Sequence, residues 1–134
     1  MRHDGPDGLI VRDSFALPYA GGMIWCEELD ALGDHEDLVR EKFDRELQAI
    51  ARPSSPSRVA LHLQNTLVSD ALARRFAEGL TGAGQAVMRL AIVGLSGKSL
   101  RAMRAALAAV HPTFATAYFT DYEKAKGWLV RTDR

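Results

Sequence analysis

The second half of this chain alternates short apolar runs with amphipathic stretches of helical spacing, three times in succession. Short apolar runs bounded by turn residues are typical of strands. Strands that alternate with helices build a sheet with right-handed parallel crossovers. The alternation therefore predicts an α/β fold. In chain order, the predicted strands and helices of this half are 58–64, 70–80, 87–94, 98–110, 114–119 and 121–130.

The first half predicts a β-hairpin followed by one helix. Apolar runs at 9–17 and 22–27 flank a proline- and glycine-containing turn at 18–21, which is typical of a hairpin. Apolar residues then recur at helical spacing over 35–51, and Asp34 fits the N-cap position of that helix. The complete predicted order is β-β-α-β-α-β-α-β-α, a mixed sheet with helices.

Length and composition indicate one globular domain. The chain has 134 residues, enough for one ordinary core, and we expect the domain to span 9–130 between a flexible N-terminus (1–8) and a C-terminal tail (131–134). Seventeen basic and seventeen acidic residues cancel, so charge gives no case for nucleic acid or an anionic membrane as partner. A single cysteine, Cys26, and the lack of a signal-peptide or membrane-spanning run predict a cytoplasmic protein, with Cys26 buried and inert.

Three segments, in this order, resemble the STAS-like (SpoIIAA-like) superfamily, and within it small bacterial proteins of STAS/SEC14 type. They are a strand leading into a helix at 59–70, a strand and turn at 89–97, and a strand–helix ending at 118–129 that closes on Ala-x-x-Trp-Leu. The resemblance covers about residues 9–130. It implies a mixed sheet with helices packed largely to one side, and a role as a protein-binding switch that antagonises anti-sigma factors.

Ser69 falls on the position at which the switch proteins carry a phosphorylated serine, at the start of a helix. The resemblance thus makes Ser69 a candidate phosphoacceptor, and helix amides and the helix dipole would stabilise a phosphate there. The residues by themselves also allow a simpler role. A serine at an N-cap accepts a hydrogen bond from a helix amide, and the adjacent Asp70 would oppose added negative charge.

The turn at 94–99 ends in Gly-Lys-Ser but is two residues too short for a phosphate-binding P-loop, so we expect no nucleotide hydrolysis. Ser96 fits as a helix cap. Ser96, Gly97 and Lys98 form a candidate contact turn for a small anion or ligand, because a helix N-terminus attracts negative charge.

No catalytic or metal signature is evident, and we expect neither a cofactor nor a metal. The histidines His3, His35, His62 and His111 lack a metal-ligand spacing. His62 alternates with apolar residues and is predicted to face the less buried side of its strand. Glu27 and Glu28 follow a predicted strand and are interpreted as surface carboxylates rather than as an acid or base.

These observations predict a non-enzymatic interaction or regulatory module. The alternative is a protein that binds a small apolar or anionic ligand, in SEC14-like carriage, near the start of the helix at 98–110. A filled core with surface grooves would favour the interaction module, and a closed apolar pocket would favour ligand binding.

Two further predictions concern packing. Trp128 shares a helical stripe with Ala125 and Leu129 and is predicted to anchor the last helix in the core. The hairpin region 9–27 carries more apolar residues than one alternating face needs, which predicts a two-fold homodimer through it. Those apolar residues are Ile10, Phe15, Ile24 and Trp25.

Overall fold

The computed structural model describes residues 2–4, 8–52 and 55–131, with 2–4 by their backbone alone. The elements, in chain order, are β1 (Arg2–Asp4), β2 (Ile10–Arg12), β3 (Phe15–Tyr19), β4 (Gly22–Glu28), α1 (Glu36–Ala51), β5 (Arg58–His62), α2 (Asp70–Gly82), β6 (Arg89–Val93), α3 (Gly97–Val110), β7 (Ala115–Phe119) and α4 (Tyr122–Val130). The predicted α/β class is confirmed. Across the described residues, no helix is both long and apolar enough to cross a membrane.

The main sheet has five strands in the spatial order β3-β4-β5-β6-β7, which is also their order along the chain. β3 and β4 form an antiparallel hairpin, and the remaining neighbours are parallel. Successive right-handed crossovers in one direction place α1, α2 and α3 on one face. The last helix, α4, packs against β4 to β7 from the other face.

Each face of the sheet has its own hydrophobic core. The larger core lies under α1, α2 and α3, where the rings of Phe43 and Phe76 meet edge to face at 4.8 Å. The smaller core lies under α4 and includes Cys26, which is buried as predicted. Ala60 and Ala91 contribute small side chains to it, which let α4 approach the central strands closely.

The prediction of one strand over 9–17 is wrong. The chain forms two strands there: β2 pairs with β1 in a separate ribbon, and β3 pairs with β4. Between them the Ser14 hydroxyl accepts a hydrogen bond from the Glu28 amide, which holds the chain away from a continuous strand. Arg2–Asp4 lies within the segment expected to be flexible, yet it is paired as β1. The rest of 1–7, and 132–134 of the predicted tail, lie outside the described residues.

Two local predictions about helices also fail. His35, not Asp34, occupies the N-cap position of α1, and its side chain makes no capping hydrogen bond. Trp128 is only partly buried: its ring lies 5.9 Å from that of Phe119 and 5.4 Å from the Arg89 guanidinium, at the rim of the smaller core. Leu129 is the fully buried large side chain of α4 instead.

Candidate functional site

The starts of α2 and α3 lie side by side at the carboxyl end of the sheet, because the parallel strands β5 and β6 end there together. Between them runs an open groove of about 460 Å³, called here the α2–α3 groove. It brings together Ser69 and Lys98, two residues singled out in the sequence. The lining residues are Asp34, Glu36, Leu67, Val68, Ser69, Asp70, Lys98, Ser99 and Ala102.

Ser69 caps α2 as the simpler interpretation predicts. Its hydroxyl oxygen accepts a hydrogen bond from the Leu72 amide at 3.1 Å. The same hydroxyl donates to Glu36 Oε1 at 2.5 Å, which ties the start of α1 to the start of α2. A phosphate on Ser69 would displace this contact and lie beside the carboxylates of Glu36 and Asp70, so local charge opposes the phosphoacceptor role.

The turn before α3 was predicted to cap the helix through Ser96, but the structure shows a different hydrogen bond there. Ser96 occupies the N-cap position, but among the described residues its side chain makes no capping hydrogen bond. The buried Ser99 instead accepts a hydrogen bond from the Val68 amide at 2.9 Å, which joins the loops after β5 and β6. Gly97 begins α3, and Lys98 is exposed at the groove. Three carboxylates line the groove beside Lys98. The net charge of the groove is therefore negative, which disfavours an anionic ligand.

A second cluster, not predicted from the sequence, lies where β4 and β5 end on the face covered by α4. It consists of Glu28, Asp30 and His62, all less than a tenth exposed. Glu28 and Asp30 are two residues apart in extended chain and therefore share a face. The parallel register places Glu28 beside His62, and the chain continues to pair beyond β4, with the Leu29 amide donating to the His62 carbonyl.

The three side chains are in contact, and Tyr122 of α4 covers them. His62 Nδ1 lies 2.8 Å from Glu28 Oε2 and 3.6 Å from Asp30 Oδ1. The Tyr122 hydroxyl donates to Glu28 Oε1 at 3.4 Å, and its ring centroid is 4.5 Å from that of His62. Burial, reinforced by the Glu28 charge, raises the pKa of Tyr122, so this hydroxyl remains a donor.

The predictions that His62 faces the less buried side and that Glu27 and Glu28 are surface carboxylates are therefore wrong. The burial of Glu28 and His62 has one cause: α4 covers a face that the alternation of β5 suggested was open. Glu-x-Asp at the end of a strand, with a histidine in the next parallel strand, is the signal that the sequence offered. This signal does not predict the cluster, because the register between β4 and β5 cannot be inferred from local pattern.

Glu27 points to the opposite face and belongs to a third polar group. It is fully buried, and its Oε1 accepts a hydrogen bond from Trp25 Nε1 at 2.8 Å. Burial, followed by the hydrogen bond with Glu46 and its charge, raises the pKa of Glu27 well above its usual range. Burial also acts to raise the pKa of Glu46, but hydrogen bonds from Glu27 and Lys42 outweigh it and lower that pKa.

Lys42 completes this group with three donated hydrogen bonds. Its buried ammonium contacts the Ser14 hydroxyl, the Glu28 carbonyl and Glu46 Oε1 at 2.8–2.9 Å. Three protons and three acceptors satisfy the ammonium, so it is not available to a ligand. We therefore assign the group a structural role, which is to fasten α1 to β4.

Comparison with known protein families, with curated proteins and with solved structures finds no match to this chain.

Proposed function

We propose that this protein is a non-enzymatic interaction module of STAS-like type, which binds a partner protein in the α2–α3 groove. The observation that carries the proposal is Leu67, a lining residue of this groove that is 62% exposed. The carboxylates of Asp34, Glu36 and Asp70 line the same groove. An exposed apolar side chain among charged ones suits a partner segment that pairs an apolar side chain with basic ones.

The architecture supports the STAS-like type. Three of the four α-helices cover one face of a mixed sheet, and the resemblance implies a mixed sheet with helices largely on one side. The groove lies at the carboxyl ends of the parallel strands β5 and β6, where the starts of α2 and α3 meet.

The openness of the pockets favours an interaction module over ligand carriage. The depression beside the start of α3, lined by Ile92, Leu95, Leu100, Arg104 and Tyr118 among others, has a volume of about 250 Å³ and is open to solvent. The α2–α3 groove, at about 460 Å³, is within the range of roughly 300–1,000 Å³ that is usual for small-molecule pockets, but it is also open to solvent. Carriage of an apolar ligand would need a more closed space.

A displayed peptide library tests the proposal. We expect selection on the wild-type protein to enrich peptides that combine an apolar residue with lysine or arginine. Binding of those peptides, measured by fluorescence anisotropy, should weaken at least about tenfold in Leu67→Asp, because the variant replaces the exposed apolar side chain of the groove with a charged one.

Met88→Asp is the matched control, since Met88 is 59% exposed but precedes β6, at the other end of the sheet. It should bind the selected peptides as the wild type does. Equal weakening in both variants, binding unaffected by Leu67→Asp, or no enrichment of such peptides would contradict the proposal.

A further inference from the structure

We infer that Glu28, Asp30 and His62 form a binding site for one divalent transition-metal cation. Each residue offers one ligand atom, a carboxylate oxygen or an imidazole nitrogen, and these atoms all lie within 4.8 Å of one another. A single ion can therefore contact all three after small side-chain movements, since metal–nitrogen and metal–oxygen bonds are about 2.0–2.2 Å long. The site shares no residue with the α2–α3 groove and does not depend on the proposed function.

The charge of the cluster is what a cation would balance. Two carboxylates lie side by side, each less than a tenth exposed. Asp30 Oδ2 contacts Arg12 Nε at 3.6 Å, but the Arg12 side chain is 60% exposed, so solvent screens that contact. Buried charges are ordinarily paired or bound to a metal. A divalent cation would neutralise both carboxylates at once.

One carboxylate oxygen of the cluster lacks a hydrogen-bond donor within the described part of the chain. Asp30 Oδ1 is buried and has no hydrogen-bond partner among the described residues. It is the oxygen that faces His62 Nδ1, at 3.6 Å. A buried acceptor without a donor costs free energy, and coordination to a metal would remove that cost.

The hydrogen bond between His62 and Glu28 is compatible with exchange for a metal. Because the Glu28 carboxylate can only accept, His62 Nδ1 carries the proton in this 2.8 Å contact. When a cation binds, the neutral imidazole would present Nδ1 as a ligand and carry its proton on Nε2, a buried atom with no hydrogen-bond partner among the described residues. Tyr122, which donates to Glu28 Oε1, would hold that carboxylate in orientation.

The donor set favours a first-row divalent ion. One imidazole nitrogen suits Zn²⁺, Fe²⁺ or Co²⁺, and two carboxylates also admit Mn²⁺, whereas Ca²⁺ and Mg²⁺ prefer oxygen alone. Three protein ligands leave at least one coordination position for water or another group.

Titration of tag-free, metal-free full-length protein tests the inference. We expect one equivalent of Co²⁺ to produce visible absorption bands, and Zn²⁺ to displace it and raise the melting temperature by mass action. Asp30→Asn, which keeps the size of the side chain, should weaken Zn²⁺ binding at least about tenfold. Asp37→Asn and His111→Asn are matched controls at exposed positions and should bind Zn²⁺ as the wild type does.

A measurement on the wild-type protein tests the site even if the variants fail to fold. The ¹⁵N imidazole resonances of His62 should shift with one equivalent of Zn²⁺, and those of His111 should not. An unchanged His62 spectrum in excess Zn²⁺ would overturn the inference. So would Zn²⁺ binding of wild-type strength in both Asp30→Asn and Glu28→Gln.

Discussion

At the scale of single residues, the most informative side chain is Glu27, a fully buried carboxyl group whose pKa the fold raises well above its usual range. Its Oε2 has no donor among the described residues, and a proton on that oxygen can donate to Glu46. The unfolded chain releases the Glu27 proton near the ordinary glutamate pKa, about 4.3, whereas the folded protein releases it at a higher pH. From that pH up to the raised folded pKa, the folded state binds more protons, so this group lowers stability as pH rises.

Glu46 has the opposite effect. Its pKa is lowered in the folded state, so it contributes stability above its ordinary pKa and loses that contribution as pH falls. The pH dependence of the pair therefore combines the two effects, and replacing the titratable Glu27 carboxyl leaves only that of Glu46.

We predict that Glu27→Gln removes the loss of stability with rising pH. Glutamine can still accept from Trp25 and donate to Glu46, so the free energy of unfolding at neutral pH should equal or exceed that of the wild type. Urea melts between about pH 5 and pH 8 check this. Glu123→Gln, at an exposed glutamate of α4, is the control. A loss above about 1 kcal/mol at neutral pH would mean that glutamine does not reproduce the contacts of the Glu27 carboxyl group.

At the scale of elements, the turn from β6 to α3 depends on Gly94. Its φ is +91°, and a Cβ placed there would lie 2.6 Å from the Gln64 Cα and 2.8 Å from the Gln64 nitrogen. Backbone atoms cannot move aside as a flexible side chain can. We predict that Gly94→Ala lowers the free energy of unfolding by about 2–5 kcal/mol, which combines left-handed strain with overpacking.

Gly97 provides the comparison for this prediction. It also has a positive φ, +55°, but a Cβ there would meet no described atom within 4 Å. Gly97→Ala should cost about 1–2 kcal/mol, from strain alone. Equal losses for the two variants in urea melts would show that the contact with Gln64 is unimportant.

The attachment of α4 to the sheet gives a second prediction at this scale. Leu129 is fully buried, whereas Trp128 lies at the rim. Leu129→Ala leaves a closed cavity and should cost about 2–5 kcal/mol. Trp128→Ala should cost less, about 1–3 kcal/mol, because water can fill the space beside Arg89. Thermal and urea unfolding of both variants would refute this if the tryptophan change proved the more damaging.

At the scale of the whole molecule, β3 is one of the two edge strands of the main sheet, and β7 is the other. Ile10, Phe15 and Met23, in and beside the hairpin, are 40–44% exposed. Ile24 and Trp25 were also predicted to contribute to the dimer interface. Instead, Ile24 is buried in the smaller core and Trp25 packs against the larger one. The apolar surface left over is smaller than expected, but it lies beside an unpaired strand edge.

We therefore retain the prediction of a two-fold dimer through the β3 edge. Sedimentation equilibrium should give a dimer mass for the wild type and a monomer mass for Phe15→Lys, since a charge at the edge opposes strand pairing. Met88→Lys, at an exposed position outside the hairpin, should remain dimeric. A monomer mass for the wild type at high concentration would end the idea.

The sequence by itself determined the elements of the second half. Strands and helices there follow their predicted positions within one or two residues, for example Gly97–Val110 against 98–110. Periodicity, turn residues and the capping of α2 by Ser69 are properties of neighbouring residues, so local pattern is enough to predict them. The break near Ser14 was missed because its cause is a hydrogen bond to Glu28, fourteen residues away.

Only the tertiary structure decided which polar groups meet. No local pattern states that α4 covers the second face of the sheet, and that covering is what buries Glu28 and His62. These two residues are 34 positions apart, and they are in contact because β4 and β5 pair in one particular register. Burial then changes the chemistry, since two carboxylates and an imidazole that would be solvated on an open strand must balance one another's charge when water is excluded.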